Sequence, residues 1–155
     1  MNLLELEINQ HIKIENIEYK IINKVKFNEK ASYWIEYKLQ NIQDSQMYYL
    51  NVEISSKSIL YKILDTREIQ LKMNMIFENE EYELFEKGKG RIETYSGFTD
   101  VALNDEVDYY KYNCKNDKQK IKKKKKWKDE TEISIGKIIS LSKIKVLSRA
   151  EWKVL

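Results

Sequence analysis

Apolar residues alternate with polar ones along most of the chain, which is the pattern of β-strands that bury one face. In the clearest case, Tyr33–Leu39, one face consists of Tyr33, Ile35, Tyr37 and Leu39, and the other of Trp34, Glu36 and Lys38. The same alternation predicts flanking strands at about residues 17–27 and 47–54. We therefore predict that this stretch is the central strand of an antiparallel sheet.

Short polar turns separate the remaining alternating stretches. A turn at Glu15-Asn16 follows a first short strand that starts near His11. Later strands are predicted at Ile59–Ile63, Ile69–Phe77, Tyr82–Glu86, Arg91–Phe98, Val107–Cys114, Thr131–Leu141 and Ile144–Leu147. Gly88 and Gly90 predict a reversal or bulge, and Ser148 with Glu151 predicts a capping box. The fold is therefore predicted to be mainly β with very little helix, an antiparallel meander forming a sandwich or a partly open barrel.

The length of 155 residues fits a single β-rich domain over residues 1–155. A faint similarity between residues 16–26 and 79–89 suggests a second organisation. In that alternative, residues 1–65 and 66–155 are two related β-units, joined by a connector at Asp65–Glu68.

The composition excludes several classes of protein. Apolar residues make up 42% of the chain, enough for a core, but no apolar run is long enough to span a bilayer. The acidic N-terminal stretch lacks a secretory pattern, and Cys114 is the single cysteine. We expect a cytoplasmic protein with no disulfide, no metal site and no cofactor.

Residues in the order of the chain resemble a bacterial family known as "domain of unknown function 4178". The resemblance is carried by Glu18–Ile22, Tyr33–Leu39, Tyr82–Gly88, Gly97 with Asn104–Tyr109, and Trp127–Gly136. It implies a β-rich domain without an established activity. The chain departs from the family's pattern at Phe98 and Thr99, where a tryptophan often follows the glycine, and in the lysine run before Trp127.

The residues offer little for catalysis. His11 has no acidic partner at a suggestive spacing, so a histidine at the surface or at a sheet edge is the expectation. Cys114 follows a tyrosine-rich strand and lies far in sequence from that histidine, which favours a half-buried structural thiol over a nucleophile. We predict that the protein is not an enzyme.

The most conspicuous feature is a lysine cluster over residues 118–128, which holds eight lysines and no acid. Its members are Lys118, Lys120, Lys122, Lys123, Lys124, Lys125, Lys126 and Lys128, together with Trp127. The whole chain has a net charge of +3, so without this cluster it is mildly acidic. Such a cluster could bind an anionic partner, namely nucleic acid, an acidic protein face or an anionic membrane surface, and Trp127 could stack on a base. The alternative is a solvated hairpin tip or a mobile loop, extended by self-repulsion.

The second candidate is the polar face of the central strand, which carries Trp34 and Glu36. If this face is open, an aromatic ring beside a carboxylate suits a protein contact or a cationic ligand. If it is closed, the two side chains pack inside a barrel or sandwich and Glu36 pairs with a lysine.

These observations predict a non-enzymatic binding or regulatory module that acts on a macromolecular partner, with a protein as the expected partner and nucleic acid as an alternative through the lysine cluster. Two other functions stay open. One is a small inhibitor, encoded by a bacterial or phage mobile element, of a nucleic-acid-handling nuclease such as an RNA-guided one. The other is a sensor domain for a small cationic ligand such as a polyamine. The sequence leaves the oligomeric state undetermined.

Overall fold

The computed structural model describes residues 2–54, 57–64, 74–77, 80–97, 101–128 and 130–153. The fold is mainly β, with 67% of residues in strands, as the alternation predicts. The strands are β1 His11–Ile14, β2 Ile17–Glu29, β3 Ser32–Asn41, β4 Met47–Glu53, β5 Ser58–Leu64, β6 Asn74–Phe77, β7 Glu80–Ser96, β8 Glu106–Cys114, β9 Lys120–Trp127, β10 Glu130–Ile139 and β11 Ile144–Val146. Among the described residues, short 3₁₀ turns span Leu3–Glu5, Leu141–Lys143 and Arg149–Glu151.

The first five strands form the predicted antiparallel meander. The two-residue turn between β1 and β2 places both Glu15 and Asn16 at positive φ (49° and 69°), as tight hairpin turns require. At the C-terminal end, the predicted capping box is confirmed, because Ser148 and Glu151 exchange hydrogen bonds around the last 3₁₀ turn.

The sheet closes on itself as an eight-stranded antiparallel barrel, which is narrower than the predicted sandwich or partly open barrel. Its ring runs β2-β3-β4-β5-β10-β9-β8-β7 and returns to β2 through a pairing in which Lys24 lies opposite Ser96. β1 and β11 extend the sheet beside the first half of β2, and β6 extends it beside β7. Closure is possible because a bulge in β2, between Ile21 and Asn23, re-aims the strand.

The two faces of β3 lie in different environments. Glu36 reaches across the ring to lysines of β9, so the even positions of β3 face the lumen. The odd positions Ile35, Tyr37 and Leu39 face away from the lumen and are buried in a large apolar cluster. That cluster also contains Leu3, Leu6, Ile12, Ile14, Tyr19, Ile21, Leu50, Val52, Leu60, Ile139 and Ile144. The predicted apolar face of the central strand is confirmed for these three residues, whereas Tyr33, its fourth member, is half-buried and lies outside the cluster.

Two local predictions are wrong. Gly88 and Gly90 do not reverse the chain, because β7 runs through both as one 17-residue strand. A Cβ atom at Gly90 would lie 2.5 Å from the Trp34 ring, so this glycine lets the strand pack closely on an indole. The lysine cluster is not a mobile loop or a hairpin tip, because most of it forms β9. β9 pairs with the tyrosine-rich β8 on one side and with β10 on the other.

Some predictions lie outside the described residues. They are the connector at Asp65–Glu68, the first half of the Ile69–Phe77 strand, and Phe98 with Thr99. The proposed repeat of residues 1–65 and 66–155 stays a prediction. Within the described ranges, no helix is long and apolar enough to span a bilayer.

Candidate functional site

A cluster of charged side chains lies in the barrel lumen, where β3 faces β9. The Lys125 Nζ atom is 2.6 Å from Glu36 Oε1, and the Lys123 Nζ atom is 3.7 Å from Glu36 Oε2. Lys125 also lies 3.4 Å from Glu132 Oε1 of β10. Glu36 and Lys123 are each 4% exposed. Buried charges are stable when they are paired, so this cluster ties opposite walls of the barrel together.

An asparagine of β4 completes the cluster. With the Asn51 amide oriented to satisfy its neighbours, its nitrogen donates to Glu36 Oε2 at 3.2 Å and its oxygen accepts from Lys123 Nζ at 2.7 Å. Asn51 lies directly opposite Glu36 in the β3–β4 pairing. The amide therefore bridges the longer of the two ion pairs and gives Lys123 a close acceptor.

Aromatic rings form the walls around these charges. The Lys123 ammonium lies 5.6 Å from the centre of the Tyr61 ring and 5.9 Å from that of Trp34. Lys125 lies 4.3 Å from the centre of the Tyr49 ring, whose hydroxyl donates to Glu132 at 3.1 Å. Cations over ring faces gain electrostatic energy when water is excluded, which further stabilises the buried lysines.

The pKa shifts follow from burial and pairing. Burial acts to raise the pKa of Glu36, but Lys125 and Lys123 outweigh it and hold that pKa below its ordinary value. Burial lowers the pKa of Lys123 to about 8, because its partners compensate for desolvation incompletely. Burial also acts to lower the pKa of Lys125, yet Glu36, Tyr49 and Glu132 together raise it. Glu36 and Lys125 therefore form a persistent ion pair, with Lys123 as the weaker second cation.

A second charge pair lies one strand further along the lumen. Lys111 of β8 contacts Glu53 of β4 at 3.2 Å and Glu86 of β7 at 3.1 Å. The Lys111 side chain is 13% exposed, so this link is also largely shielded from water. It joins a second set of opposite strands across the barrel.

The structure brings together residues from both predicted sites. Glu36 pairs with lysines of the cluster, so the closed alternative, in which it packs inside the barrel, describes its environment. Trp34 stacks on Phe27 with ring centres 5.1 Å apart and meets Tyr109 edge-on at 5.4 Å. A role of Trp34 and Glu36 in binding a ligand or a protein stays a prediction.

The lysine cluster is divided by strand alternation. Lys123 and Lys125 face the lumen, and Lys122 on the opposite face is fully buried, 5.1 Å from the centre of the Tyr82 ring. Trp127 lies on the same face as Lys123 and Lys125, where it packs against an apolar cluster that contains Phe27 and donates to Asp105. The other members lie outside as follows: Lys118 and Lys126 are exposed, Lys120 pairs with Glu80 at 2.7 Å, Lys124 lies over Tyr110, and Lys128 pairs with Asp105 at 3.9 Å. Long lysine stems bury well against tyrosines, which is why the segment is a strand. Its binding of an anionic partner stays a prediction.

His11 is neither exposed nor without an acidic partner, so that expectation is wrong. It is 5% exposed, and its Nδ1 atom is 2.7 Å from Glu18 Oε2. The β1–β2 hairpin explains the pairing, since its register places His11 opposite Lys20 and Glu18 opposite Lys13. His11 and Glu18 therefore share one face of the hairpin. The predicted turn at Glu15-Asn16 contained this information, because a two-residue turn fixes the register.

The C-terminal segment covers this histidine. The Trp152 ring stacks on the His11 ring with centres 4.1 Å apart and planes 5° from parallel. The backbone N–H of Lys153 donates to Glu18 at 3.0 Å, and Trp152 Nε1 donates to the carbonyl of Leu147. Burial acts to raise the pKa of Glu18, but the hydrogen bonds from His11 and Lys153 hold it below its ordinary value.

A groove of about 870 Å³ lies beside this covered histidine. Its ionisable lining residues are His11, Lys20, Arg149 and Lys153, with no carboxylate among them. The amides of Asn9 and Gln10 and the indole of Trp152 line the rest of it, with Ile8. Sequence reasoning missed this groove, because residues from both ends of the chain meet there only after folding.

Cys114 lies in a different part of the fold from His11. Its thiol is buried, 1% exposed, and donates to Glu80 at 3.0 Å. The same carboxylate pairs with Lys120, which together with the thiol lowers the pKa of Glu80. Among the residues that the structure describes, no group of three or more His, Cys, Asp or Glu side chains is placed to hold a metal ion.

Comparison with the sequence profiles of protein families identifies the family of this chain. The sequence profile of the family described as Domain of unknown function (DUF4178) matches residues 7–141. The chain belongs to the DUF4178 family. The match begins before β1 and ends just after β10, so the whole barrel ring is part of the family domain. No curated protein and no solved structure gives a match.

The position of the match separates the two candidate regions. Every lumen residue of the charge cluster, from Glu36 to Glu132, lies within the DUF4178 match. The groove instead takes Arg149, Trp152 and Lys153 from residues that follow it. The barrel is therefore the family's domain, whereas half of the groove's basic lining comes from outside it.

Proposed function

We propose that this DUF4178 domain is a non-enzymatic binding module that acts on a macromolecular partner in the cytoplasm. The observation that carries the proposal is the occupation of the lumen. The charged and amide side chains there bind one another: Glu36, Lys123, Lys125 and Asn51. These buried charges of the lumen therefore hold the barrel together. A domain built in this way acts through its outer surface.

The outer surface offers positive charge for such contacts. Lys118, Lys126 and Lys128 are exposed near the ends of β9, and the basic groove lies beside His11. Clustered surface cations raise the association rate with acidic partners and favour them over basic ones. This supports an anionic surface on the partner, in line with the expectation from the lysine cluster.

The alternative of a polyamine sensor has less support. A cationic ligand needs unpaired carboxylates among aromatic rings. In the part of the lumen that the structure describes, the buried carboxylate of Glu36 already contacts two lysines. Inhibition of a nuclease by a mobile-element protein is one form of the proposed module, with the nuclease as the macromolecular partner.

The test is capture of a partner on the immobilised domain from an extract of the native host, followed by mass spectrometry. The control is the same capture with excess free domain in solution, which displaces a specific partner but leaves non-specific ionic contacts. We expect one or a few proteins to be displaced and then to bind the purified domain in calorimetry.

Native mass spectrometry of the purified domain with spermine provides the opposing outcome. A one-to-one spermine complex that survives moderate salt, with no macromolecule displaced in the capture, would replace the proposal with the sensor function. Turnover of a small molecule by the purified domain would refute the non-enzymatic assignment.

A further inference from the structure

The groove beside His11 is lined by positively charged side chains that lack acidic partners among the residues that the structure describes. Within the described part of the chain, no carboxylate oxygen lies close enough to Lys20 or Arg149, that is within 4.0 Å of a side-chain nitrogen, to form an ion pair. The carboxylate below them, Glu18, is 7% exposed and already accepts hydrogen bonds from His11 and Lys153. The groove therefore presents cations to solvent, because the nearest carboxylate, that of Glu18, is buried beneath it and already hydrogen-bonded.

The floor of the groove is also held in a fixed geometry. Glu18 fixes the ring of His11, the ring of His11 supports Trp152, and the guanidinium of Arg149 lies 5.5 Å from the centre of the Trp152 ring. Lys145 and Ser148 hold Glu151, which keeps the intervening turn in place. A preformed site loses less conformational entropy on binding than a flexible one does.

We propose that this groove, between the β1–β2 hairpin and residues 149–153, binds an acidic segment of a protein partner. The proposal rests on the proposed function and names the chemistry of its partner. Side-chain carboxylates of the segment would contact Lys20, Arg149 and Lys153, with the guanidinium able to bind a carboxylate through two parallel hydrogen bonds. The amides of Asn9 and Gln10 lie at the same groove and suit the backbone of an extended peptide.

Two observations favour a peptide over a nucleic acid. At least one face of the Trp152 ring is covered by His11 at stacking distance, so that face cannot receive a base. The groove holds about 870 Å³, which suits a few peptide residues, whereas duplex binding uses a longer stripe of cations along successive phosphates.

Fluorescence anisotropy of a labelled oligoglutamate peptide tests the proposal on the full chain. The groove variant carries Lys20→Gln, Arg149→Gln and Lys153→Gln. The matched control carries Lys62→Gln, Lys87→Gln and Lys143→Gln, which removes the same charge from exposed positions outside both the groove and the lysine cluster. We expect the groove variant to weaken peptide binding by about tenfold or more and the control by about twofold or less.

Circular dichroism and thermal melting show whether each variant is folded. If the triple variant does not fold, Lys20→Glu alone replaces it. This substitution of a partly exposed side chain lowers the groove's charge by two without touching its floor, and a loss of about tenfold is again expected. Equal weakening by the groove variant and the control would overturn the proposal. Tighter, groove-dependent binding of a DNA or RNA oligonucleotide of equal charge would overturn it in favour of nucleic acid.

Capture from the host extract distinguishes failure of the groove as the binding site from failure of the proposed binding function. A protein that binds wild type and the groove variant equally would leave the binding module intact and refute the groove as its site. A captured protein that is lost with the groove variant, kept with the control, and shown by cross-linking to seat an acidic segment beside Trp152 would support both. Absence of any displaced macromolecule would count against the proposed function itself, whatever the peptide shows.

Discussion

The two faces of β3 are buried by opposite means. On the outer face, Tyr37 is fully buried among aliphatic side chains, and its hydroxyl donates to the carbonyl of Leu3 at 2.6 Å. On the lumen face, Glu36 is buried almost as completely, but among two lysines, an asparagine and aromatic rings. Neighbouring residues of one strand therefore belong to an apolar core and to a polar one.

The apolar core and the polar core differ in how strictly each depends on the geometry of its side chains. Apolar side chains gain from burial in any well-packed orientation, so the outer cluster stabilises the sheet with little demand on geometry. A buried ion pair adds little net stability but is costly to break. We infer that the lumen cluster fixes which strands face each other, since Glu36 finds its lysines only when β3 and β9 lie opposite.

Removing the aromatic ring from the apolar core should have the largest effect. Tyr37→Ala is expected to lower the free energy of unfolding by about 3–5 kcal/mol, because it leaves a cavity and an unpaired carbonyl at Leu3. Urea denaturation measures it. The adjacent Lys38→Ala, on a partly exposed side chain, is the control, with an expected loss of about 0.5 kcal/mol. Equal losses would show that the faces of β3 are exchanged.

Breaking the polar core should come next. Glu36→Gln removes the carboxylate that Lys123 contacts and leaves Lys125 with Glu132 alone. It is expected to cost about 3 kcal/mol, measured by the same denaturation. Combining Glu36→Met with Lys123→Met and Lys125→Met removes the carboxylate together with both lysines and should recover most of that loss. A triple variant that is less stable than Glu36→Gln would mean that the cluster contributes stability as well as specificity.

The smallest effect concerns pH. Because the pKa of Lys123 is lowered to about 8 from 10.5, the folded protein releases this proton between those values while the unfolded chain still holds it. The free energy of unfolding should therefore rise with pH above about 8, by up to about 1.4 kcal/mol per unit, and this group contributes no slope at lower pH. Above about pH 10 the unfolded tyrosines ionise, whereas burial raises the pKa of Tyr19 to about 12 in the folded state, which opposes the rise.

Chemical denaturation between about pH 8 and 10 compares wild type with Lys123→Met. The variant should lose the slope, whereas Lys126→Met, the same change on the exposed side of β9, should keep it. Identical slopes in both variants would contradict the burial of the Lys123 ammonium.

The sequence predicted the apolar side of the fold better than the polar side. Alternation identified the strands and the apolar face of β3, because apolar burial leaves a pattern within a single segment. β9 was mistaken for a loop, because its lysines occupy both faces and show no alternation. Their burial depends on Glu36, 89 positions away, and on tyrosines of β8, which no local pattern contains.

The groove and β7 show the same limit. The pairing of His11 with Glu18 could be deduced from the hairpin turn, since both ends are local. The cover supplied by Trp152 could not, because 141 positions separate it from His11 and the aromatic stack forms only in the folded chain. Gly88 and Gly90 were predicted to form a reversal or a bulge, yet the β7–β8 register is continuous through both. Gly90 instead allows close packing against Trp34, a contact that again comes from a distant strand.

The distance in sequence between the closing strands has a consequence for how the chain assembles. β1 to β5 join by local hairpins, whereas the barrel closes only when β10 pairs with β5, Ser134 opposite Ile63, and β7 pairs with β2. Such non-local pairing slows folding, so we expect an open sheet to persist while the later strands are synthesised. The inner face of that sheet displays Glu36 and Asn51 beside Phe27 and Trp34, so we expect the unfinished barrel to resist aggregation better than one whose lumen is apolar throughout.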